Sequence, residues 1–170
     1  MSEFSDLPRD CHPTIRGVAE YWMSIHPSPD VLPGRVDFDP IELPADVWPF
    51  LVLSEVLSQT PFDVRYKVVG TEVVNLDGYD ATEMKLSECP VIRDREEIIL
   101  DYRVAIDCGR MSFRRVIFFD IRRGFEMTIE RGHFPLAANG NDVDMILTTI
   151  VKLERKNSER NEALLPRLCG

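Results

Sequence analysis

The chain has 170 residues, of which 44% are hydrophobic and 29% are charged. These proportions are typical of one globular domain with short appendages and exclude a chain that is disordered throughout. The net charge of −9 at pH 7 disfavours nucleic acid and membrane surfaces as partners, because phosphate groups carry the same sign of charge.

The four cysteines lie far apart in the sequence, and no two of them form a C-x-x-C pair. This pattern is typical of a reduced intracellular protein rather than of a disulfide scaffold. The three histidines are also scattered, so we predict no metal site. The first residues do not read as a secretory signal, and no apolar run is long enough for a transmembrane helix. We therefore expect a cytoplasmic protein.

The beginning of the chain predicts a tail and then a helix. Residues 1–12 are polar and interrupted by Pro8, which predicts a flexible tail. Residues 14–26 follow with apolar side chains at helical spacing, between Pro13 and Pro27, which predicts an amphipathic helix. Its apolar stripe consists of Ile15, Val18, Tyr21, Trp22 and Ile25. The six prolines between residues 26 and 49 predict turns and extended pieces.

The middle of the chain predicts a hairpin followed by helices. Residues 50–57 are an apolar run, and residues 62–69 alternate so that Phe62, Val64, Tyr66 and Val68 share one face. A short helix is predicted over residues 71–77, with Thr71 as its N-cap, and a longer helix over residues 92–108.

The end of the chain predicts three strands, at residues 111–121, 125–136 and 142–152, separated by glycine-containing turns. A charged tail occupies residues 154–170. Two strands, a helical block and three strands indicate an α+β fold with a five-stranded, mainly antiparallel sheet covered by helices. We expect the helices on one face of that sheet, and we place the domain at residues 13–153.

Several local strings resemble the PAS-like proteins that occur in bacteria as stand-alone domains. The order of the predicted elements is that of a PAS domain, and the strings cover about residues 20–150. They are Tyr21-Trp22, residues 32–40 (LPGRVDFDP), residues 48–53 (WPFLVL), residues 62–71 (FDVRYKVVGT), Glu130, residues 134–136 (FPL) and residues 143–147 (VDMIL). The resemblance implies a PAS-like sensory or regulatory module that binds a small ligand or a protein partner. It implies no reaction, and we predict neither catalysis nor a cofactor.

Four residues are candidates for lining a cavity between the sheet and the helices. A PAS-like sheet can leave such a cavity, which would suit a small apolar or amphipathic ligand. Tyr66, Tyr79 and Tyr102 are candidates because a buried tyrosine hydroxyl needs a partner, but we favour another protein group over a ligand as that partner. His133 could bind haem or respond to pH, but we favour a surface or hydrogen-bonded strand histidine.

A polar cluster within the proline-rich segment is a further candidate. Arg35 could bind an anion or a partner, while Asp37 and Asp39 are spaced to cap turns. We favour a structural role, in which Arg35 holds the loop against the domain. Glu130 is a candidate counter-ion for Arg35.

Two alternative functions stay open. One is a dimeric interaction adaptor without a ligand, whose interface is the helical stripe that contains Val18, Tyr21, Trp22 and Ile25. The other is a cone-shaped α+β enzyme related to ketosteroid isomerases. Such an enzyme needs a buried acid or base, for which the sequence offers Glu130, Asp120 and His133.

Overall fold

The computed structural model describes residues 7–90, 95–120 and 124–153, with only the backbone at residues 118–120. These residues form three α-helices and five strands, together with single turns of 3-10 helix at Pro40–Glu42, Trp48–Phe50 and Leu86–Glu88. The helices are α1 (Pro13–Ser24), α2 (Thr71–Asp77) and α3 (Arg95–Cys108). The strands are β1 (Leu51–Gln59), β2 (Phe62–Val69), β3 (Ser112–Asp120), β4 (Phe125–Leu136) and β5 (Met145–Leu153).

All five strands join one sheet in the order β2-β1-β5-β4-β3, and every neighbouring pair is antiparallel. The predicted α+β, PAS-like arrangement is therefore confirmed. The bounds of β2, α2 and β4 agree with the predicted ones, because alternation or helical spacing ends at a turn residue in each case.

Helices cover both faces of the sheet, whereas we expected them on one face. Helix α1 and the proline-rich segment pack on one side, called here the α1 face. Helices α2 and α3 pack on the other, called the α3 face. Buried residues on the α1 face include Ile15, Trp22, Leu53, Phe134 and Leu147. Those on the α3 face include Val52, Val64, Tyr66, Tyr102 and Ile146. The strand residues therefore bury both of their alternating side-chain sets.

The stripe of α1 packs on the chain's own sheet. Val18 and Trp22 are buried, and the Trp22 Nε1 donates to the Pro135 carbonyl oxygen at 2.9 Å. Tyr21 and Ile25 are only partly exposed and pack against the same core. The prediction of a dimer interface at Val18 and Trp22 is wrong, because apolar area already buried within the chain is not available to a partner.

Residues 7–12 are also packed, so the predicted tail was too long. Leu7 and Cys11 are buried in the core of the α1 face. His12 is the N-cap of α1, where its Nδ1 accepts from the backbone N–H of Thr14 at 3.2 Å. A prediction based on polarity missed the burial of Leu7 and Cys11, since they pack against residues distant in the sequence. Residues 1–6 and the predicted tail at 154–170 lie outside the described residues.

Glu130 is fully buried on the α1 face, and its counter-ion is Arg115 rather than Arg35. The Arg115 Nε and Nη2 donate to Glu130 Oε1 at 2.8 and 2.5 Å. The backbone N–H of His12 donates to Oε2 at 2.7 Å. Arg115 lies directly opposite Glu130 in the β3–β4 pairing, which explains the choice of partner.

Two local predictions need correction. The N-cap of α2 is Gly70 rather than Thr71. A Cβ atom at Gly70 would lie 2.3 Å from the Pro49 carbonyl oxygen, so only glycine fits this approach. In β2, the pairing of Leu53 with Val68 and of Ser54 with Tyr66 skips one residue of β2. This β-bulge reverses the alternation, and Val68 is exposed instead of sharing the inward face of Tyr66.

The described helices do not include one that is both long enough and apolar enough to cross a membrane.

Candidate functional site

A group of polar side chains lies buried between α3 and the sheet. Helical spacing puts Asp101 on the inward stripe of α3 together with Ile98, Tyr102 and Ala105. Alternation in β4 directs Arg131 and His133 to the α3 face. The strands β1 and β5 contribute Ser54 and Thr148. This α3 polar cluster consists of Ser54, Asp101, Tyr102, Arg131, His133 and Thr148.

Asp101 is the centre of charge in this cluster. Its Oδ1 accepts from the Nε of Arg114, which reaches it from the edge strand β3. Its Oδ2 lies 3.8 Å from Arg131 Nε and 3.8 Å from His133 Nε2, beyond hydrogen-bond distance. The exposed fractions of Asp101, Arg131 and His133 are only 4%, 3% and 1%.

Four buried polar atoms of Asp101, Arg131 and His133 lack a hydrogen-bond partner. Within residues 7–90, 95–120 and 124–153, Asp101 Oδ2, Arg131 Nε, Arg131 Nη2 and His133 Nε2 make no hydrogen bond. We call them the four unsatisfied atoms. Buried polar atoms are nearly always hydrogen-bonded, so their concentration at one place in the core requires an explanation.

Hydroxyl groups and aromatic rings border this charged centre. The His133 Nδ1 lies 3.0 Å from Thr148 Oγ1, and the Tyr102 hydroxyl lies 3.1 Å from Ser54 Oγ. The Tyr102 ring contacts His133 and stacks on Phe62, with ring centroids 5.1 and 5.9 Å apart. The site therefore combines an ionic end with an aromatic wall.

Burial determines the charge state of the histidine. Burial lowers the pKa of His133, and this effect outweighs the nearby Asp101 carboxylate. At pH 7 His133 is neutral. Burial alone would raise the pKa of Asp101, but the hydrogen bonds and charges of its neighbours, including Arg131 and Arg114, keep that pKa below its usual value. We assign the His133 proton to Nε2, which faces the carboxylate, so the Thr148 hydroxyl donates to Nδ1.

The lowered pKa of His133 predicts a pH-dependent stability. The unfolded chain binds a proton at this histidine near pH ~6.5, whereas the folded chain resists it. We expect the free energy of unfolding to fall as the pH drops from about 7.5 to 5.5, by at most about 1.4 kcal/mol per pH unit. The contribution of Asp101, whose pKa is also lowered, is lost only below about pH 4.

Urea denaturation across this pH range measures the effect. The variant His133→Gln should show a smaller slope of stability against pH than the native chain. Equal slopes in the two proteins would show that His133 does not carry the effect.

The cluster contains the residue types of a hydrolytic triad but not its geometry. Thr148, His133 and Asp101 follow one another in the order of nucleophile, base and acid. Thr148 lies in the middle of the central strand β5 and is buried. The His133 ring lies 3.8 Å from the carboxylate that would orient it. In this arrangement, Thr148 cannot attack a substrate carbonyl.

The structure brings some of the predicted ligand-binding residues together. Tyr66 and Tyr102 are buried on the α3 face with His133, and Tyr79 packs half-buried against the same core. Burial raises the pKa of all three tyrosines, so their hydroxyls stay protonated. His133 is buried, so the surface position that we favoured as one of two alternatives is wrong. Its hydrogen-bonded Nδ1 agrees with the prediction of a strand histidine with a hydrogen-bond partner.

Arg35 lies on the other side of the molecule. It is exposed, its Nη1 donates to the Phe38 carbonyl oxygen at 2.9 Å, and its guanidinium stacks on the Phe38 ring. Asp37 accepts from the Gly34 N–H at 2.7 Å, and Asp39 accepts from the Ile41 N–H at 3.0 Å. These contacts confirm the predicted turn-capping role and separate Arg35 from the tyrosines.

Sequence reasoning missed Asp101, Arg114 and Arg131 as members of a site. One signal was present, since Asp101 lies three residues after Ile98 and four before Ala105, on the apolar stripe of α3. An acidic residue on a buried stripe requires a cationic partner. That its cationic partners are Arg114 and Arg131 follows only from the strand register.

A separate shallow pocket of about 100 Å³ lies between α2 and β5. It is lined by Phe50, Glu72, Asn75, Leu76, Ile150 and Lys152. None of the predicted site residues belongs to it. Its volume is below the range of about 300–1,000 Å³ that is usual for small-molecule pockets.

No family model matches the chain, and no curated protein matches its sequence. Two solved structures illustrate the resemblance of the fold. A LOV protein from Rhodobacter sphaeroides has a TM-score of 0.47 at 10% identity, covering 84% of this chain and 69% of that one. A PAS domain from Colwellia psychrerythraea has a TM-score of 0.46 at 15% identity, covering 68% and 98%. The PAS-like assignment of the fold rests on the order of the elements and strands.

Proposed function

We propose that this chain is a PAS-like regulatory module that binds a small amphipathic ligand between α3 and the sheet and catalyses no reaction. The observation that supports the proposal is the set of four unsatisfied atoms in the α3 polar cluster. A ligand that supplies their missing hydrogen bonds would gain binding free energy.

Stability is a weaker explanation of this cluster. A buried ion pair contributes little to folding unless its geometry is good, and the Nε of the buried Arg131 lies 3.8 Å from Asp101 Oδ2. Apolar residues of similar volume would stabilise this position better. Polar groups that cost stability at one place in a packed core are typical of functional sites.

Helix α3 is suited to connect such a site with a protein partner. Its inner side carries Asp101 and Tyr102, whereas Leu100 and Val104, one turn apart, are 54% and 50% exposed. A ligand that moves α3 outward would therefore move an apolar surface pair. We propose that a protein partner recognises this change in the surface of α3, because the acidic net charge disfavours nucleic acid and membranes.

Native mass spectrometry of the purified chain tests the proposed function. We expect a complex with a small molecule, whose release increases the hydrogen exchange of α3 more than that of β1 and β5. Arg131→Gln should lose the bound mass, whereas the surface variant Arg110→Gln should retain it. A bare chain whose α3 exchange is unaffected by small-molecule extracts of the source cells would contradict the proposal.

A second candidate function is the ligand-free dimeric adaptor, with a different surface from the predicted one. The exposed residues Ile41 and Trp48 adjoin each other, since Trp48 Nε1 donates to the neighbouring Pro40 carbonyl oxygen at 2.7 Å. Exposed apolar pairs of this kind occur at protein interfaces. Sedimentation at two concentrations distinguishes the candidates, because the adaptor requires a dimer that Ile41→Ser weakens.

A further inference from the structure

We infer that the α3 polar cluster takes an uncharged ligand head group that both donates and accepts hydrogen bonds, namely a hydroxyl or a primary amide. This inference rests on the proposed function and specifies the chemistry of the same site. It follows from which atoms need partners and from the charges that surround them.

The four unsatisfied atoms are of two kinds. Arg131 Nε and Nη2 are donors, and His133 Nε2 is a third donor in the assigned tautomer. Asp101 Oδ2 is an acceptor that lies 3.8 Å from both Arg131 Nε and His133 Nε2. An oxygen about 2.9 Å from each of these atoms would accept from the two nitrogens and donate its hydrogen to Asp101. A hydroxyl oxygen meets both requirements with one atom. A primary amide meets them with two atoms, its carbonyl oxygen as the acceptor and its N–H as the donor.

The contacts at Asp101 Oδ2 disfavour ionic head groups. Arg114 and Arg131 against Asp101 leave a net charge of +1, so this preference rests on the local donors and acceptors and not on the overall charge. A ligand carboxylate could pair with Arg131 but would lie against Asp101, which already binds Arg114. A ligand ammonium could pair with Asp101 but would lie against Arg131 and Arg114. In a buried site, either like-charge contact lowers the affinity strongly. The neutral His133 adds no charge at pH 7.

The neighbouring residues favour an aromatic ligand body. Tyr102 stacks on Phe62 next to the cluster, and Tyr66 and Val64 complete the apolar wall. An offset aromatic ring would pack against these rings. Because the core is packed, the body of the ligand needs α3 to move away from the sheet, which is the movement that we propose as the output.

Four probes with one phenyl ring and different head groups test this inference. They are benzyl alcohol, benzamide, benzoate and benzylamine. Calorimetric titration of the full chain at pH 7.5 should give affinities for benzyl alcohol and benzamide about tenfold or more above those for benzoate and benzylamine. The imidazole NMR signals of His133 should shift only with the two neutral probes.

Two variants should change this preference in opposite directions. Asp101→Asn removes the negative charge and should make benzoate the preferred probe, because Arg131 then lacks its counter-ion. Arg131→Gln should increase the affinity for benzylamine at the expense of the neutral probes. Glu130→Gln alters a buried carboxylate on the α1 face and should leave the preference unchanged. Circular dichroism identifies any variant that does not fold, and the other variant then carries the test.

The outcomes separate the inference from the proposed function. Equal binding of all four probes, or tightest binding of benzoate by the native chain, would overturn the uncharged head group and leave a ligand site in place. If the chain is purified with another retained molecule and binds none of the probes, the uncharged head group would likewise be overturned and the ligand site would stand. Binding of none by a chain that is purified bare would overturn both.

Discussion

Replacing Asp101 with leucine should lower the free energy of unfolding by about 3–5 kcal/mol, because the buried Arg131 loses its counter-ion. Arg114 and Arg131 lie directly opposite each other on β3 and β4, and Asp101 is the carboxylate that both of them face. Without it, two cations remain side by side, one of them 3% exposed. Urea denaturation at pH 7.5 measures the change.

Two further variants test this prediction, one as a control and one that should restore part of the lost stability. Glu97→Leu makes a comparable change at an exposed position of α3 and should alter the stability by no more than about 0.5 kcal/mol. Combining Asp101→Leu with Arg131→Met should recover about 2 kcal/mol or more, because no unpaired buried charge remains. A double variant that is no more stable than Asp101→Leu would show that these residues do not act as a pair.

Truncating Trp22 to alanine should lower the free energy of unfolding by about 3–5 kcal/mol. The ring is buried between α1 and β4, where it packs against Phe134 and edge-to-face against His26. Its Nε1 also donates to the Pro135 carbonyl oxygen, which alanine would leave without this donor.

The other tryptophan of the chain is the matched control. Trp48 is 43% exposed, and Trp48→Ala should cost about 1 kcal/mol or less. Both variants should sediment as the native chain does. If Trp22→Ala instead changed the oligomeric state and left the stability unaltered, the stripe of α1 would be an interface between chains and not part of the core.

The strands could be predicted from the sequence because their signals are local. Alternation in β2, the glycine turn before β4 and the helical spacing of α3 each lie within a few residues of the element that they define. The stripe of α1 was equally clear, but a stripe shows only that a helix covers an apolar surface. It does not show whether that surface belongs to the same chain. Eight consecutive residues of β4, from Ile129 to Leu136, are buried. Because Glu130, Arg131, Gly132 and His133 are among them, the sequence shows no apolar run that would indicate burial on both faces.

The site depended on information that the sequence does not carry locally. Asp101 contacts Arg114, Arg131 and His133 across 13 to 32 positions of the chain, and the contacts require the register of β3 and β4. The charge of Glu130 was visible in the sequence, but its choice of Arg115 over Arg35 also depended on that register. Register is a property of the assembled sheet.

The side chains of the neighbouring residues Glu130 and Arg131 carry opposite charges and lie on opposite faces of β4. If β4 slipped by a single residue, both side chains would exchange sides. Glu130 would then be enclosed beside Asp101, and Arg131 beside Arg115, so the misaligned sheet would bury repulsive pairs on both of its faces. The same two charges that are costly in the correctly aligned strand therefore penalise its closest misaligned alternative.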